Sequence, residues 1–200
     1  MSLLDLGSPT PQDPILVSEP VWLRPIRFSD YEAWTQLREK SQAHLTAWEP
    51  AWRPEDLTQS AFRRRVRVYS REMRRGGVLP FLVFRRGDNA LLGGVTISNI
   101  RYGASRSAVI GYWIGAPFTR RGYARAAVKG VLRHVFEIMR LNRMEAACQP
   151  ENEASRRLLE QSGFQYEGRA RDYLKINDDW RDHLLFAITA SDYRALSADA

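Results

Sequence analysis

The chain has 200 residues, of which 44% are hydrophobic and 26% are charged, values usual for one globular domain. No apolar run approaches the roughly 18 residues of a membrane-spanning helix, so we expect no membrane partner. The net charge is +7, and arginine carries nearly all of the positive charge. Because arginine makes forked contacts to phosphates and carboxylates, the composition fits an anionic ligand, an RNA neighbour or a solvated basic surface.

The start of the chain and its cysteine content indicate a cytoplasmic protein. Residues 1–14 lack the basic segment and apolar run of a secretory signal. Cys148 is the single cysteine, which excludes an internal disulfide and any multi-cysteine metal site. The sequence leaves both a monomer and a dimer open.

The first half of the chain predicts a strand, two helices and then more strands. Residues 1–18 are expected to form a flexible lead-in, and residues 21–27 alternate as a strand does. A helix is predicted over residues 29–39, an aromatic loop over residues 44–52 and a second helix over residues 58–75. The outer face of that second helix carries six arginines, namely Arg63, Arg64, Arg67, Arg71, Arg74 and Arg75.

The second half alternates strands and helices. The predicted strands are residues 79–86, 91–100, 107–115, 144–149, 164–176 and 180–189, and the predicted helices are residues 122–139 and 152–162. The order β-α-α-β-β-β-α-β-α-β-β predicts a single α/β domain with a mixed sheet over residues 19–190. Residues 191–200 are expected to form a C-terminal tail.

The segment TRRGYARAAVKG, residues 119–130, predicts a phosphate site. Arg120, Arg121 and Arg125 begin a helix where Asp, Ser or Glu would suit the helix dipole. Free backbone N–H groups at a helix start bind phosphate oxygens, and the small Gly122 and Ala124 around Tyr123 let a ligand approach the backbone. Ordinary helix packing is the alternative interpretation, and the P-loop pattern GxxxxGK[ST] is absent.

A second motif, QPENEASRRLLEQSGF, follows the strand at residues 144–149. Asn152 stands at a helix start, Ser155 lies one turn further on, and Gly163 ends the helix. In one interpretation Asn152 and Gly163 only cap the helix. In the other, Asn152 and Ser155 face a cleft beside the start of the helix at residues 122–139.

Together the two motifs resemble those of the GNAT acyltransferases. T-R-R-G-Y-A is similar to the family's Q/R-x-x-G-x-G/A loop, with Thr119 where Gln or Arg is usual, and the N-x-x-S-x-x-L-x-x-x-x-G-F block matches fully. HLTAWEP, IGYWIG and RDYLKINDDWRDHLL further resemble the RimJ/RimL-type ribosomal-protein-alanine N-acetyltransferases, RimJ most of all.

The resemblance implies acetyl transfer from acetyl-CoA, without a metal, to the N-terminal α-amine of a small-subunit ribosomal protein. It implies a mostly antiparallel sheet of six or seven strands, flanked by four helices and splayed between the strands at residues 107–114 and 144–149, where pantetheine lies. The implied cofactor contacts are Trp113, Ile114, Arg120, Arg121, Gly122, Tyr123, Ala124, Arg125, Asn152 and Ser155. The backbone at Trp113 and Ile114 would stabilise the oxyanion, and Tyr112 would contact the acceptor.

The reaction needs a general acid that protonates the leaving sulfur and a general base that accepts the amine proton. For the acid we favour Ser155, which could also orient a water, with Tyr166 and Tyr173 as alternatives and a merely structural role of Ser155 also open. For the base we favour Glu49, flanked in sequence by the substrate-contacting candidates Trp48 and Trp52, which could raise its pKa. Solvation of Glu49 is the alternative, and weaker candidates are Glu145, Glu167 and Asp172.

The remaining reactive side chains indicate structure rather than chemistry. Cys148 is interpreted as a small core residue instead of an acyl carrier, and His44, His134 and His183 show no metal spacing. The arginine face of residues 58–75 is either solvated or a contact for ribosomal RNA, and no DNA partner is indicated. Acetylation of a small amine (an aminoglycoside or polyamine) and a ribosome-assembly role are the rival functions.

Overall fold

Eight strands form one sheet in the computed structural model, which describes residues 15–50 and 52–198. The strands are β1 (Leu16–Ser18), β2 (Val21–Pro25), β3 (Leu79–Arg85), β4 (Leu91–Arg101), β5 (Ser107–Ile114), β6 (Arg143–Cys148), β7 (Gln165–Ile176) and β8 (Asp179–Thr189). Their order in the sheet is β1-β2-β3-β4-β5-β6-β8-β7. All neighbours are antiparallel except β5 and β6, which confirms the mixed, mostly antiparallel sheet.

Six α-helices cover the two faces of this sheet in the described part of the chain. They are α1 (Tyr31–Lys40), α2 (Gln42–Leu45), α3 (Gln59–Arg74), α4 (Tyr123–Arg133), α5 (Glu153–Gln161) and α6 (Ala190–Ala198). One turn of π-helix, His134–Ile138, extends α4. Side chains of α1 and α3 share a core with one face of β3, whereas those of α4, α5 and α6 pack on the other face.

Strand β3 shows how the sequence creates two cores. Successive side chains of a strand point to opposite faces, and here nearly every position is apolar and buried. Phe81 and Val83 enter the core beneath α4, while Leu82 and Phe84 enter the core beneath α1 and α3. The central strands are therefore covered on both faces, and a functional cleft has to form where neighbouring strands separate.

The sheet has such a separation between β5 and β6. These parallel strands pair only over residues 107–109 and 143–145. Beyond that point β5 remains paired with β4 as far as Ile114, and β6 remains paired with β8 as far as Cys148. We call this opening the seam; it lies between the two strands for which the sequence predicts a splay.

Three predicted segments differ from the structure. Leu16–Ser18 lies within the predicted lead-in but forms β1, because its backbone pairs with β2 from Leu16↔Leu23 to Ser18↔Val21; residues 1–14 lie outside the described residues. Part of the predicted aromatic loop is the short helix α2. The predicted tail begins within α6, which is held by Tyr193 stacking on Phe136 with ring centroids 5.1 Å apart. The sheet therefore has eight strands where six or seven were predicted, and the described chain has six α-helices where four were predicted.

Within the described ranges, no helix has both the length and the apolar composition needed to cross a membrane. No group of three or more His, Cys, Asp and Glu side chains in those ranges is placed to hold a metal ion.

Candidate active site

A tyrosine and a serine face each other at the seam. Tyr112 extends from β5 and its hydroxyl lies 2.7 Å from Oγ of Ser155 in the first turn of α5. Asn152 caps that helix, since its Oδ1 accepts a hydrogen bond from the Ser155 N–H at 3.0 Å. The cap fixes the first turn of α5, and thereby the position of the serine hydroxyl opposite the tyrosine.

Burial raises the pKa of the Tyr112 phenol well above its ordinary value, and the negative charge that Cys148 would carry acts in the same direction. Burial also raises the pKa of the Cys148 thiol. Both groups therefore stay protonated at neutral pH. Tyr112 is consequently a hydrogen-bond donor, whereas Cys148 lacks the thiolate character of a nucleophile.

The backbone of β5 offers N–H groups toward the seam. Gly115 N donates to Leu92 O of the neighbouring β4 side at 2.8 Å. Because donors alternate between the two edges of an antiparallel strand, the N–H groups of Tyr112 and Ile114 point away from β4. They face the edge along which β6 has separated, so the described geometry favours Ile114 over Trp113 as the donor to a bound oxygen.

The start of α4 is a basic, uncapped helix terminus. Gly122 is the N-cap with φ of +78°, a conformation that favours glycine, and no side chain caps the helix. Arg120, Arg121 and Arg125 are exposed, and none forms an ion pair with another residue of the described ranges. Free N–H groups, the helix dipole and three arginines together make this terminus suited to phosphate.

Two other residues of this segment have structural contacts. Tyr123 is half-buried, and its hydroxyl accepts a hydrogen bond from Arg85 Nη1 at 3.5 Å, at the limit for such a bond. Ala124 is half-buried in the first turn of α4. Thr119, which replaces the usual Gln or Arg, directs its hydroxyl to the carbonyl of Ala116 at 3.1 Å. Its side chain thus stabilises the turn before the helix.

On the opposite face of the sheet, Trp113 lies against a partly buried ion pair. Arg38 of α1 donates from Nη1 and Nη2 to Glu49 at 3.2 and 2.5 Å, and Trp52 Nε1 donates to the same carboxylate at 2.8 Å. The Arg38 guanidinium also lies 5.0 Å from the Trp113 ring and 4.8 Å from the Trp52 ring. Glu49 is therefore anchored beside β5 rather than fully solvated.

The predicted residues thus form three groups. The seam contains Tyr112, Ser155 and Asn152, and the ion-pair face contains Glu49, Trp52 and Trp113; the basic terminus of α4 is the third group. Trp48 belongs to none of them and is 37% exposed.

The alternative acid and base candidates lie outside these three groups. Tyr166 and Tyr173 are exposed on β7, beside Phe186 and His183 respectively. Glu145 and Glu167 both accept from Arg143, and the Arg143 contact lowers the pKa of Glu167. The backbone N–H of Asp172 donates to Asp182 at 3.0 Å.

Sequence reasoning missed three polar residues near these groups. Arg38 and Arg65 both lie at positions that continue the apolar stripes of α1 and α3, beside Leu37 and Val66. An arginine within such a stripe is the signal that would have identified them. Ser41 is fully buried and accepts a hydrogen bond from Ala116 N at 2.9 Å, just beyond β5, which nothing in its sequence context indicates.

Known proteins resemble this chain over most of its length. A family model described as an acetyltransferase (GNAT) domain matches residues 21–165. The probable N-acetyltransferase YjcK of Bacillus subtilis is 30% identical over 178 residues, which are 89% of this chain and 98% of that protein. The [ribosomal protein uS5]-alanine N-acetyltransferase of Escherichia coli is 29% identical over 167 residues, or 84% of this chain and 83% of that protein. The structure of Mycobacterium smegmatis RimJ in complex with CoA-disulfide has a TM-score of 0.83 and 36% identity, covering 94% of each chain.

Proposed function

The chain belongs to the GNAT acetyltransferase family and is an N-acetyltransferase. We propose that it acetylates the N-terminal α-amine of a protein and that the preferred acceptor is a ribosomal protein of the small subunit. The observation that carries this proposal is the seam, with the Tyr112–Ser155 pair inside it. The acceptor class is supported by similarity to the Escherichia coli enzyme, whose name specifies alanine of ribosomal protein uS5.

Acetyl-CoA is the proposed acetyl donor. Its pyrophosphate would bind the basic terminus of α4 through backbone N–H groups and the guanidinium groups of Arg120, Arg121 and Arg125. Its pantetheine would lie in the seam, within reach of the free edge of β5. The solved RimJ structure in complex with CoA-disulfide supports this assignment, because it shares the fold over nearly the whole chain.

In the proposed reaction the amine nitrogen attacks the thioester carbon to form a tetrahedral oxyanion. The N–H of Ile114 stabilises the oxyanion, since it points toward the seam and is not used by β4. The carbon–sulfur bond then breaks, and CoA leaves as a thiolate. The Tyr112 hydroxyl supplies a proton to that sulfur, with Ser155 orienting the donor, and solvent returns the proton to the phenol.

The amine must lose a proton, and Glu49 is the proposed acceptor through a water. Oε1 of Glu49 accepts from both Arg38 and Trp52, whereas Oε2 accepts only from Arg38. One acceptor position on Oε2 thus remains. The demand on this base is small for an α-amine, because a pKa near 8, against about 10.4 for lysine, makes the neutral amine about 250-fold more abundant near pH 7.

Matched peptides test the proposal. One set has a free N-terminal Ala, Ser or Thr, and the other has the same sequence with a blocked N-terminus and one internal lysine. Thiol release and peptide mass would be measured with acetyl-CoA, alongside an aminoglycoside and a polyamine. Acetylation confined to free N-termini is the expected result, whereas turnover of only the small amines would contradict it. Salt-sensitive RNA binding without acetylation of either peptide set would instead favour the ribosome-assembly function.

A further inference from the structure

A cavity of about 240 Å³ opens on the α1 and α3 face of the sheet. Trp34 and Arg38 of α1 line it together with Arg65 of α3, Glu49, and Trp113 at the end of β5. Because side chains alternate along β5, Trp113 points to this face while Tyr112 points to the seam. The cavity thus borders the residues to which we assign the amine side of the reaction.

Arg65 is held in place without a carboxylate partner. Its guanidinium lies 4.8 Å from the centroid of the Trp34 ring, and the residue is only partly exposed. No ion pair joins it to any residue within 15–50 or 52–198. Burial lowers the pKa of Arg65, but an arginine remains charged at neutral pH. The ring therefore orients a cation whose hydrogen-bond donors are available to a ligand.

The carboxylates of Asp56 and Glu49 lie close enough to act on the charge of Arg65, but neither forms an ion pair with it. Both terminal nitrogens of Arg38 bond to Glu49, so these two residues compensate each other. The buried Nε of Arg38 has no hydrogen-bond partner among the described residues. The lining therefore carries one uncompensated positive charge and, in Arg38 Nε, one further unused N–H donor, which favours an occupant with a single negative charge.

We infer that this cavity binds a carboxylate of the acceptor, an aspartate or glutamate side chain near the acetylated N-terminus, through Arg65. The inference rests on the proposed function, because it assumes that the acceptor is a peptide. A carboxylate matches both the single uncompensated charge and the fork of a guanidinium group. The enzyme would accordingly select among protein N-termini by an acidic residue close behind the first one.

The test uses peptides that begin with serine and carry glutamate at position 2, 3, 4 or 5, each paired with the glutamine peptide. At one position, wild-type kcat/KM should be about 10-fold higher for glutamate than for glutamine, the effect of a partly exposed charged hydrogen bond. Arg65→Met should abolish this preference, so that its kcat/KM values for the glutamate and glutamine peptides become equal, and a Tm close to that of the wild type would show that the variant is folded. Arg133→Met removes an exposed arginine of α4 and should keep the preference.

Three other results would overturn the inference. Equal kcat/KM for glutamate and glutamine at all four positions, with the N-termini still acetylated, would refute it and leave the proposed function intact. A preference that persists in Arg65→Met would refute the assignment to Arg65. Failure to acetylate any peptide, with turnover of free glutamic acid instead, would place the carboxylate on a small amine and refute the proposed function as well.

Discussion

Replacing Tyr112 by phenylalanine should separate catalysis from stability. Phenylalanine keeps the ring of a largely buried side chain and removes only the hydroxyl 2.7 Å from Ser155 Oγ. Loss of one such neutral hydrogen bond costs about 1 kcal/mol of unfolding free energy, or about 2–4 °C in Tm at this chain length. Loss of a general acid instead lowers kcat about 100- to 10,000-fold, equivalent to about 2.7–5.4 kcal/mol of activation free energy.

The pH dependence of kcat/KM gives the same reasoning a second test. The phenol is the active form, and a raised pKa keeps the phenol present to higher pH. Wild-type kcat/KM should therefore rise through the titration of the peptide α-amine near pH 8 and show no descending limb up to about pH 11, above the ordinary tyrosine pKa of about 10. A descending limb centred near pH 10 that disappears in Tyr112→Phe would show that the phenol titrates normally, against the argument from burial.

Continuous detection of released thiol, with a peptide that has a free N-terminus, measures kcat and the pH dependence of kcat/KM. Tyr102→Phe is the matched control, because Tyr102 is 61% exposed and we assign it no role in the reaction. Ser155→Ala should also lower kcat, and the double variant should lose little more than Tyr112→Phe, as expected for two groups that act as one unit. A Tyr112→Phe variant with kcat within about fivefold of wild type would limit its role to about 1 kcal/mol and refute the proton-donor assignment.

Arg121→Glu should raise the KM for acetyl-CoA at least about 10-fold with little change in kcat, because it reverses a charge at the helix terminus assigned to phosphate; calorimetric titration with CoA checks this, and an unchanged affinity would contradict it. Gly115→Ala should lower the unfolding free energy by about 1–3 kcal/mol, since its Cβ would lie 2.3 Å from Leu37 Cδ1. Thermal melts of this variant, of Leu37→Ala and of their double variant should show mutual relief, and a wild-type Tm for Gly115→Ala would disprove the packing argument. Cys148→Ala should keep kcat within about fivefold, because the buried thiol is not a nucleophile; an acetylated Cys148 seen by intact mass would overturn this.

The fold could be predicted well wherever local pattern decides the structure. Alternation in β2 and the stripe of Phe62 and Val66 in α3 are properties of short segments, and the structure confirms both elements. Strand β1 was missed because three residues carry almost no periodicity, and it is held by pairing with β2. Helix α6 likewise depends on a partner distant in the chain, Phe136.

The site could be predicted only in part, for a related reason. The loop at Gly122 and the cap at Asn152 are local, and their motifs are readable in one segment. The Tyr112–Ser155 hydrogen bond joins residues 43 apart, and each residue type alone has many other uses. Arg65 was overlooked among many arginines, because only its place on the inward stripe of α3 distinguishes it from the exposed ones.

The short pairing between β5 and β6 also has a mechanical consequence. In the described chain, strand pairing joins the two parts of the sheet, β1–β5 and β6–β8, only over residues 107–109 and 143–145, and the Arg106 carbonyl beside it accepts from the N–H groups of Asn142 and Arg143. Beyond this pairing, the two parts are held together by the Tyr112–Ser155 hydrogen bond and by shared apolar side chains, among them Ile110 of β5 and Met144 of β6 in one continuous core. Apolar packing is non-directional, so the two parts can rock slightly about this hinge without breaking a hydrogen-bond ladder. A molecule lying between them would fix their separation, and amide hydrogen exchange at Ala147 and Ile114, whose N–H groups face the seam, would report its arrival.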